Sequence, residues 1–300
     1  PLSMAIAVAS GVGPERGLYA AIIGGFLVSA LGGSRYQIGG PAGAFITLVA
    51  ATTARFGVDG LLVTVLLSGM LLTLLGALRL GQLIRHMPHA VTVGFTFGIA
   101  VTILASQLKA LGGLKLAHEP SHLLPKLAAL SKALPSLNPA ALGVGLGSAA
   151  LIFALKAWRP NWPGMLIAVT GAALAAALLH LPVETIGSHF GGLPSGLLMP
   201  HLPALSAETV VQLAPAVISF TVLGGIESLL SAKVADGMTG RKHRSNMELV
   251  AQGIANIGSA LFGGIAVTGT IARTATNVRA GATSPMSGIL HALFLLLFLL

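Results

Sequence analysis

Two short strings in this sequence have the composition of an anion-binding site. The first covers residues 37–44 and places Gly39, Gly40 and Pro41 directly before an apolar run. Proline at the first position of a helix loses no donor that the helix needs, and glycines let a ligand approach the backbone closely. The free N–H groups at the positive end of such a helix can bind an anion. These groups would come from the next three residues, Ala42, Gly43 and Ala44. The alternative interpretation is a tight turn between two membrane-spanning helices.

The second string covers residues 267–277, in which Thr268 or Thr270 is suited to precede a helix as its N-cap. The first residues of that helix would be Ile271, Ala272 and Arg273. An arginine near the middle of a membrane costs at least about 2.5–3.5 kcal/mol, so it normally faces protein or water and has a function. Two helix N-termini and one arginine predict a positively charged pocket that prefers an anion. The alternative is an arginine that extends its head group to the membrane surface.

Glu227 is the only acidic residue in the apolar run of residues 210–230. A carboxyl group there must be paired or protonated, because burying an unpaired charge in an apolar medium costs too much free energy. We expect Glu227 to be a coupling site for a proton or another cation. The alternative is a structural salt bridge that joins two halves of the protein.

The composition shows which kind of protein must position these residues. Of the 300 residues, 54% are hydrophobic and only 8% are charged, whereas soluble domains carry roughly 25% charged residues. Several apolar stretches have the length that a helix needs to cross a hydrocarbon layer about 30 Å thick. The sequence therefore predicts an all-α integral membrane protein. Its lysine and arginine distribution favours a multi-pass topology in a cell membrane, such as a bacterial inner membrane.

The hydropathy pattern predicts about eleven helical segments, with a short surface helix in the loop between residues 111 and 138. After a first fragment that ends near residue 12, the predicted segments are 17–33, 40–56, 60–80, 90–110, 139–157, 163–181, 209–235, 247–263, 270–280 and 284–300.

The sequence lacks the usual signatures of enzymes and of metal sites. It has no cysteine, its nine histidines show no ligand spacing such as His-x3-His within a helix, and it has no phosphate-binding Gly-x4-Gly-Lys-Ser/Thr loop. The net charge of +9 comes from short loops between apolar spans, which does not favour nucleic acid. We therefore expect no enzymatic activity, no metal, no cofactor and no nucleic-acid partner.

An internal repeat relates the two glycine-containing strings. Residues 17–33 align without gaps to residues 248–264, and a Gly-Gly pair followed by a short broken segment comes after each copy. The identical positions are Leu18/Leu249, Ala20/Ala251, Ile23/Ile254, Gly32/Gly263 and Gly33/Gly264. If seven segments separate the copies, they have opposite orientations in the membrane. Paired broken helices in an inverted repeat are typical of the binding site of a secondary transporter.

The chain closely resembles the SulP family, the anion transporters of solute carrier family 26. The strings that carry the resemblance occur in family order over essentially the whole chain and are residues 1–5 with 17–19, 38–44, 94–96, 106–109, 248–256 and 269–281. The resemblance implies an inverted-repeat fold of seven plus seven segments, with broken helices that carry short extended segments. It also implies a core domain that moves against a gate domain, with the last segments and a cytoplasmic STAS domain beyond this chain.

On this basis residues 1–300 are an incomplete transmembrane transport domain, with a first repeat at about 1–181 and a second from about 209. The resemblance implies that the anion lies between segments beginning near Gly40 and Thr270. It also implies that Glu227 and Ser231, one turn apart, are the ion-coupling residues, with a proton preferred over sodium. Family members are typically homodimers, so we expect one here, in addition to contact with the lipid bilayer.

The predicted function is secondary active anion transport by alternating access, as proton-coupled symport or as exchange. The substrate would be an inorganic anion or a dicarboxylate, such as sulfate, bicarbonate or fumarate. Leu2 and Ala272 replace residues that are polar in many family members, which makes the site less polar and adds a dicarboxylate or another organic anion to the candidates beside sulfate. The alternatives are a passive anion channel and a nucleobase–cation symporter of similar fold.

Overall fold

The computed structural model describes residues 2–81, 89–116, 120, 123–160, 162–185, 187–188, 192, 196–203 and 207–300. Pro1 of the first family string lies outside these residues, and the side chains of Phe95, Thr96 and Ser106 are also outside the description. The described chain is almost entirely helical. It divides into two compact units, one formed by Pro1–Phe97 with Leu193–Leu300 and the other by Gly98–Gly192.

The first part of the chain contains both a broken segment and a long bent helix. In chain order its elements are α1 (Leu2–Ala9), α2 (Pro14–Tyr19), a π-helical turn (Ala20–Gly24), α3 (Gly25–Leu31), β1 (Gly39–Gly40), a 3-10 turn (Gly43–Phe45) and α4 (Ile46–Ala77).

Helix α5 (His89–Gly112) leads into the second unit, whose other elements are α6 (Leu123–Ala133), a 3-10 turn (Leu134–Ser136), α7 (Pro139–Trp158) and α8 (Gly164–Leu178). The chain then continues with α9 (Ala207–Thr239), α10 (Ser245–Leu261), β2 (Thr268–Gly269), α11 (Ile271–Arg279) and α12 (Met286–Leu299).

Several of these helices are suited to a membrane. Within the described residues, three are long and apolar enough to cross it, namely Gly43–Ala77, Pro139–Trp158 and Val210–Thr239. A helix of 20 residues such as α7 extends about 30 Å, the thickness of the hydrocarbon layer. Large apolar side chains are exposed on α7 and α8, including Phe153 and Leu178. The lipid bilayer provides the apolar surroundings that such side chains need.

The bend in α4 separates two segments that the sequence predicts as distinct. Gly57 has φ 70° and ψ −174° inside this helix, a conformation that glycine adopts at little cost. The helix begins later than predicted, because residues 39 and 40 form a strand and the first turn of helix starts at Gly43. The predicted helix start near residue 40 is therefore wrong by three residues.

Small residues let α4 and α10 approach each other closely. A Cβ atom added at Gly69 would lie 2.7 Å from the carbonyl oxygen of Gly253, and one at Gly76 would lie 2.7 Å from that of Asn246. Such contacts between backbones are the usual way in which helices associate in membranes. The edge-to-face pair of Phe45 and Phe220, with ring centroids 5.2 Å apart, joins α9 to the same core.

The two copies of the predicted repeat occupy α2 to α3 and α10, which pack against each other. Gly258 of α10 lies against Leu27 of α3, so that a Cβ atom there would be 2.6 Å from a Leu27 methyl carbon. Strand β1 packs on α3 in the same way, because an added Cβ atom at Gly25 would lie 3.0 Å from the Gly39 carbonyl oxygen. The repeat therefore forms the support on which the broken segments rest.

Candidate functional site

The two broken segments meet in a short antiparallel ladder. Strands β1 and β2 pair with Gly39 opposite Gly269 and Gly40 opposite Thr268. The backbone N–H of Thr270 donates to the carbonyl oxygen of Ile38 over 3.0 Å and extends the ladder by one bond. Strings separated by about 230 residues in the sequence are thus held side by side in one compact unit.

A helix begins directly after each strand of this ladder. Ala42 has an extended conformation, with φ −120° and ψ 145°, and the 3-10 turn that leads into α4 starts at the next residue. Thr270 precedes α11 as its N-cap residue, as predicted, but its side chain makes no capping bond. Its hydroxyl donates instead to the Ile38 carbonyl oxygen over 3.1 Å. Thr268, the other N-cap candidate, lies in β2.

Arg273 places a positive charge beside the first break. Its Nη2 atom donates to Ser3 Oγ over 3.1 Å and lies 3.5 Å from the Pro41 carbonyl oxygen. A Cβ atom on Gly40 would overlap the guanidinium group. Among the described residues no carboxylate lies within 4.0 Å of this group. No carboxylate in the described part of the chain neutralises this charge, and we refer to Gly40, Pro41, Thr270 and Arg273 as the cradle.

Helix α1 contributes a residue that the sequence interpretation did not identify. Ser3 is only 6% exposed, whereas its neighbour Leu2 is 55% exposed. The side chain that contacts the guanidinium group is therefore Ser3. By contrast, the apolar Leu2, which the family resemblance singled out, is exposed. The two partners are 270 positions apart, and no local pattern in the sequence connects them.

The other predicted substrate-binding residues provide mainly backbone groups. Ala42 is buried in the apolar core, so only its backbone can face a ligand. Gly43 and Ala44 are partly exposed in the first turn. Ile271 is partly exposed and Ala272 is exposed in the first turn of α11.

Glu227 lies on α9 near the second break. It is 7% exposed, and Thr268 of β2 is the side chain beside its carboxyl group. Neither Glu227 Oε2 nor Thr268 Oγ1 has a hydrogen-bond partner among the described residues. Within the same residues Glu227 makes no ion pair, so the structural salt bridge considered above is not formed.

Two serines of α9 hold the ladder from the side. Ser228 Oγ accepts from the backbone N–H of Gly269 over 3.2 Å. Ser231 Oγ donates to Thr274 Oγ1 over 3.1 Å, and that oxygen also accepts from the backbone N–H of Ile38 over 3.2 Å. Ser231, predicted for ion coupling, is therefore engaged in the junction between α9, α11 and the first break.

Two amide side chains of α10 hold the segment before β2. Asn256 Oδ1 accepts from the Val267 N–H over 2.9 Å, and Asn256 Nδ2 donates to the Val267 carbonyl oxygen over 2.8 Å. Gln252 Nε2 donates to the same oxygen over 2.6 Å. The signal for this role in the sequence is a pair of amides four residues apart, which share one face of a helix. Both amides belong to residues 248–256, one of the strings that carry the family resemblance.

Comparisons with known proteins identify the family of this chain. The model of the sulfate permease family matches residues 1–300. The Bacillus subtilis protein YvdB, whose name describes it as a sulfate transporter, is 42% identical over 302 residues, which cover 100% of this chain and 57% of that protein. The bicarbonate transporter BicA of a Picosynechococcus species is 31% identical over 314 residues, which cover 100% of this chain and 54% of that protein. The chain thus spans about half the length of these relatives.

A solved structure shows the same fold. The transmembrane domain of a cyanobacterial bicarbonate transporter BicA superimposes with a TM-score of 0.84 at 28% identity, covering 99% of this chain and 77% of that one. Together with the match over the whole sequence, this shows that the chain is that of a membrane protein and belongs to the sulfate permease family.

Proposed function

We propose that this chain is the transport domain of a secondary active anion transporter that works by alternating access. The observation that carries the proposal is the position of Arg273 at the start of one broken helix, with its guanidinium group against Gly40 and Pro41 of the other. Two helix N-termini and an arginine that has no carboxylate partner among the described residues stabilise negative charge. A cation would be repelled at the same place.

We infer the substrate class from the names of the relatives and from the polarity of the cradle. Relatives are named for sulfate and for bicarbonate, and both are small oxyanions. The side chains at positions 42, 44 and 272 are methyl groups, so the protein offers backbone N–H groups and one guanidinium rather than several hydroxyls. This lining supports a small oxyanion, and a short dicarboxylate such as fumarate is the second candidate.

The coupling ion is proposed to act at Glu227. Its Oε2 atom and the Thr268 hydroxyl are buried without partners among the described residues, and such atoms need a proton, a water molecule or a cation. Thr268 belongs to β2, so a change in the protonation of the Glu227 carboxyl group can affect the ladder. We propose proton-coupled symport or exchange, with sodium as the competing possibility.

Uptake by proteoliposomes tests the proposal. Labelled sulfate, bicarbonate and fumarate would be offered separately, with and without an inward proton gradient and with sodium present or replaced by choline. A carrier gives saturable uptake that a counter-anion inside the vesicles accelerates. Conductance without saturation would identify a channel, and the absence of uptake for all three anions would contradict the proposed substrate class.

A further inference from the structure

We propose that Glu248 is a positioning residue for the cradle and acts on it through Gln37. The proposal rests on the proposed function, because it concerns the affinity of that site for its anion. Glu248 does not touch the cradle, and no step described above uses it. It is a second buried carboxyl group on a different helix from Glu227.

Glu248 binds the chain segment that leads into β1. It lies in the first turn of α10 and is 0% exposed. Its Oε1 atom accepts from Gln37 Nε2 over 2.8 Å, and its Oε2 atom accepts from the backbone N–H of Ser34 over 3.0 Å. Both oxygens are therefore used to hold the few residues that precede Gly39.

Gln37 carries this restraint across the ladder. The same Nε2 atom donates to the Ser228 carbonyl oxygen over 3.1 Å, and Ser228 Oγ accepts from the Gly269 N–H. A Cβ atom on Gly269 would overlap the Gln37 amide, so this amide lies directly against β2. A single side chain thus joins α10, α9 and both strands at the base of the cradle.

The chemistry of position 248 requires a carboxylate. Its two partners, an amide N–H and a backbone N–H, are both donors, and only a carboxylate offers two acceptor oxygens in this place. Both partners of Gln37 Nε2 are acceptors, so the orientation of the Gln37 amide is fixed. A glutamine at 248 would keep the shape but place an NH2 group against one of the two donors.

A buried carboxylate of this kind contributes to geometry more than to stability. Burying it costs free energy that an apolar pair would not require. We attribute its presence to a role in fixing one conformation of the segment before Gly40. The Arg273 guanidinium group packs against Gly40 itself. Loosening that segment would move the cradle backbone away from the arginine.

The test compares Glu248→Gln, Gln37→Met and the double variant with the wild type in proteoliposomes. We expect each single change to raise the half-saturation concentration for sulfate or bicarbonate by about tenfold, equivalent to about 1.4 kcal/mol, with a smaller effect on the maximal rate. The double variant should bind no more weakly than the worse single variant, because both changes break the same connection. Effects that multiply would contradict the proposal.

Ser259→Ala is the matched control. Ser259 is buried in the same helix, and its hydroxyl donates to the Ile265 carbonyl oxygen over 2.7 Å, away from Gln37. This change should lower thermal stability without altering the half-saturation concentration. If Ser259→Ala reduces affinity as much as Glu248→Gln, the effect is general destabilisation and the proposal is wrong.

A second measurement does not depend on transport. Hydrogen exchange followed by mass spectrometry would report the backbone amides of residues 36–45 and 266–274 in detergent. We expect faster exchange at Gly269 and Thr270 in Glu248→Gln and Gln37→Met but not in Ser259→Ala. Unchanged exchange in folded Glu248→Gln would refute the positioning role even if the wild type transports none of the anions. If the wild type transports none of the anions but exchange is faster in the two variants, the proposed function is contradicted and the positioning role is supported.

Discussion

At the scale of single residues, the charge on Arg273 and the polar atoms around Glu227 are arranged differently. The guanidinium group has neutral oxygen partners, Ser3 Oγ and the Pro41 carbonyl, which orient it without cancelling its charge. The Glu227 carboxyl group has an oxygen without any described partner. Under the proposed function, Arg273 binds the negative ligand and Glu227 changes its charge state.

Arg273→Ala should reduce the ratio of maximal uptake rate to half-saturation concentration by about 100-fold, equivalent to about 2.7 kcal/mol. The variant loses the charge and also leaves Ser3 without its donor. Arg273→Lys should recover only part of the loss, since a lysine cannot reproduce the planar set of donors. Uptake by proteoliposomes measures both variants.

The control is Arg279→Ala, which removes an exposed arginine at the far end of the same helix. Its uptake should equal that of the wild type. Equal losses for Arg273→Ala and Arg279→Ala would show that only the overall positive charge matters.

Glu227→Gln should abolish accumulation driven by a proton gradient while leaving anion exchange partly intact. The amide keeps the shape of the side chain but cannot take up and release a proton. In the wild type, accumulation should increase when the side from which the anion enters is made more acidic. If the variant keeps this dependence on pH, Glu227 is not the coupling site. Glu15→Gln, at a partly exposed position, serves as a matched change that should have no effect.

At the scale of elements, the ladder needs residues without side chains because other groups occupy their space. An added Cβ atom at Gly39 would lie 2.7 Å from Val28 Cβ. At Gly40 it would meet the end of a flexible arginine instead. Substitutions at the two glycines should therefore have different effects. A side chain at Gly39 would clash with α3, whereas one at Gly40 would displace the guanidinium group of the cradle.

Gly40→Ala should lower the affinity for the anion by at least about tenfold, about 1.4 kcal/mol, because the new methyl group displaces the guanidinium. The loss of stability should be modest, about 1 kcal/mol, since the displaced group is the end of a long side chain. Uptake kinetics and thermal unfolding in detergent measure the two effects. Gly237→Ala, which adds a methyl group in open space on α9, should leave uptake unchanged. A large stability loss in Gly40→Ala with normal affinity would contradict this expectation.

Asn256→Ala tests whether α10 holds β2 in place. The change leaves the buried Val267 N–H without an acceptor, while Gln252 still serves the carbonyl oxygen. An unsatisfied buried donor costs about 1–3 kcal/mol, so the midpoint of thermal unfolding should fall. Faster hydrogen exchange should be confined to residues 265–270. A uniform increase over α4 and α9 would show that Asn256 stabilises the unit as a whole and not β2 in particular.

At the scale of the whole molecule, the sequence was sufficient to predict the class of fold. Low charge and long apolar runs predicted the membrane helices, and glycine and proline marked the first break correctly except for the helix start near residue 40. That start moved to Gly43 because the ladder keeps residues 39 and 40 extended. Pairing between strands is a tertiary contact, and neither string contains it by itself.

The residues that hold the cradle could not be predicted in the same way. Ser3 and Arg273 are 270 positions apart, and Gln37 and Glu248 are 211 apart. Ser3, Gln37 and Glu248 are ordinary polar residues in the sequence, and the partner of each is determined only by how the helices pack. Arg273 and Glu227 were noticeable because a charge in an apolar run is costly wherever its partner lies.

The ladder between β1 and β2 also limits how a bound ion can leave. The two helix starts are connected by backbone hydrogen bonds, by the Thr270 hydroxyl and by Gln37. They cannot move apart without breaking these hydrogen bonds in a place where little water can replace them. Under the proposed function, an ion therefore departs because its surroundings change while the pocket stays intact. Ions arriving from either compartment then meet the same donors, and any preference for one direction must originate elsewhere in the protein.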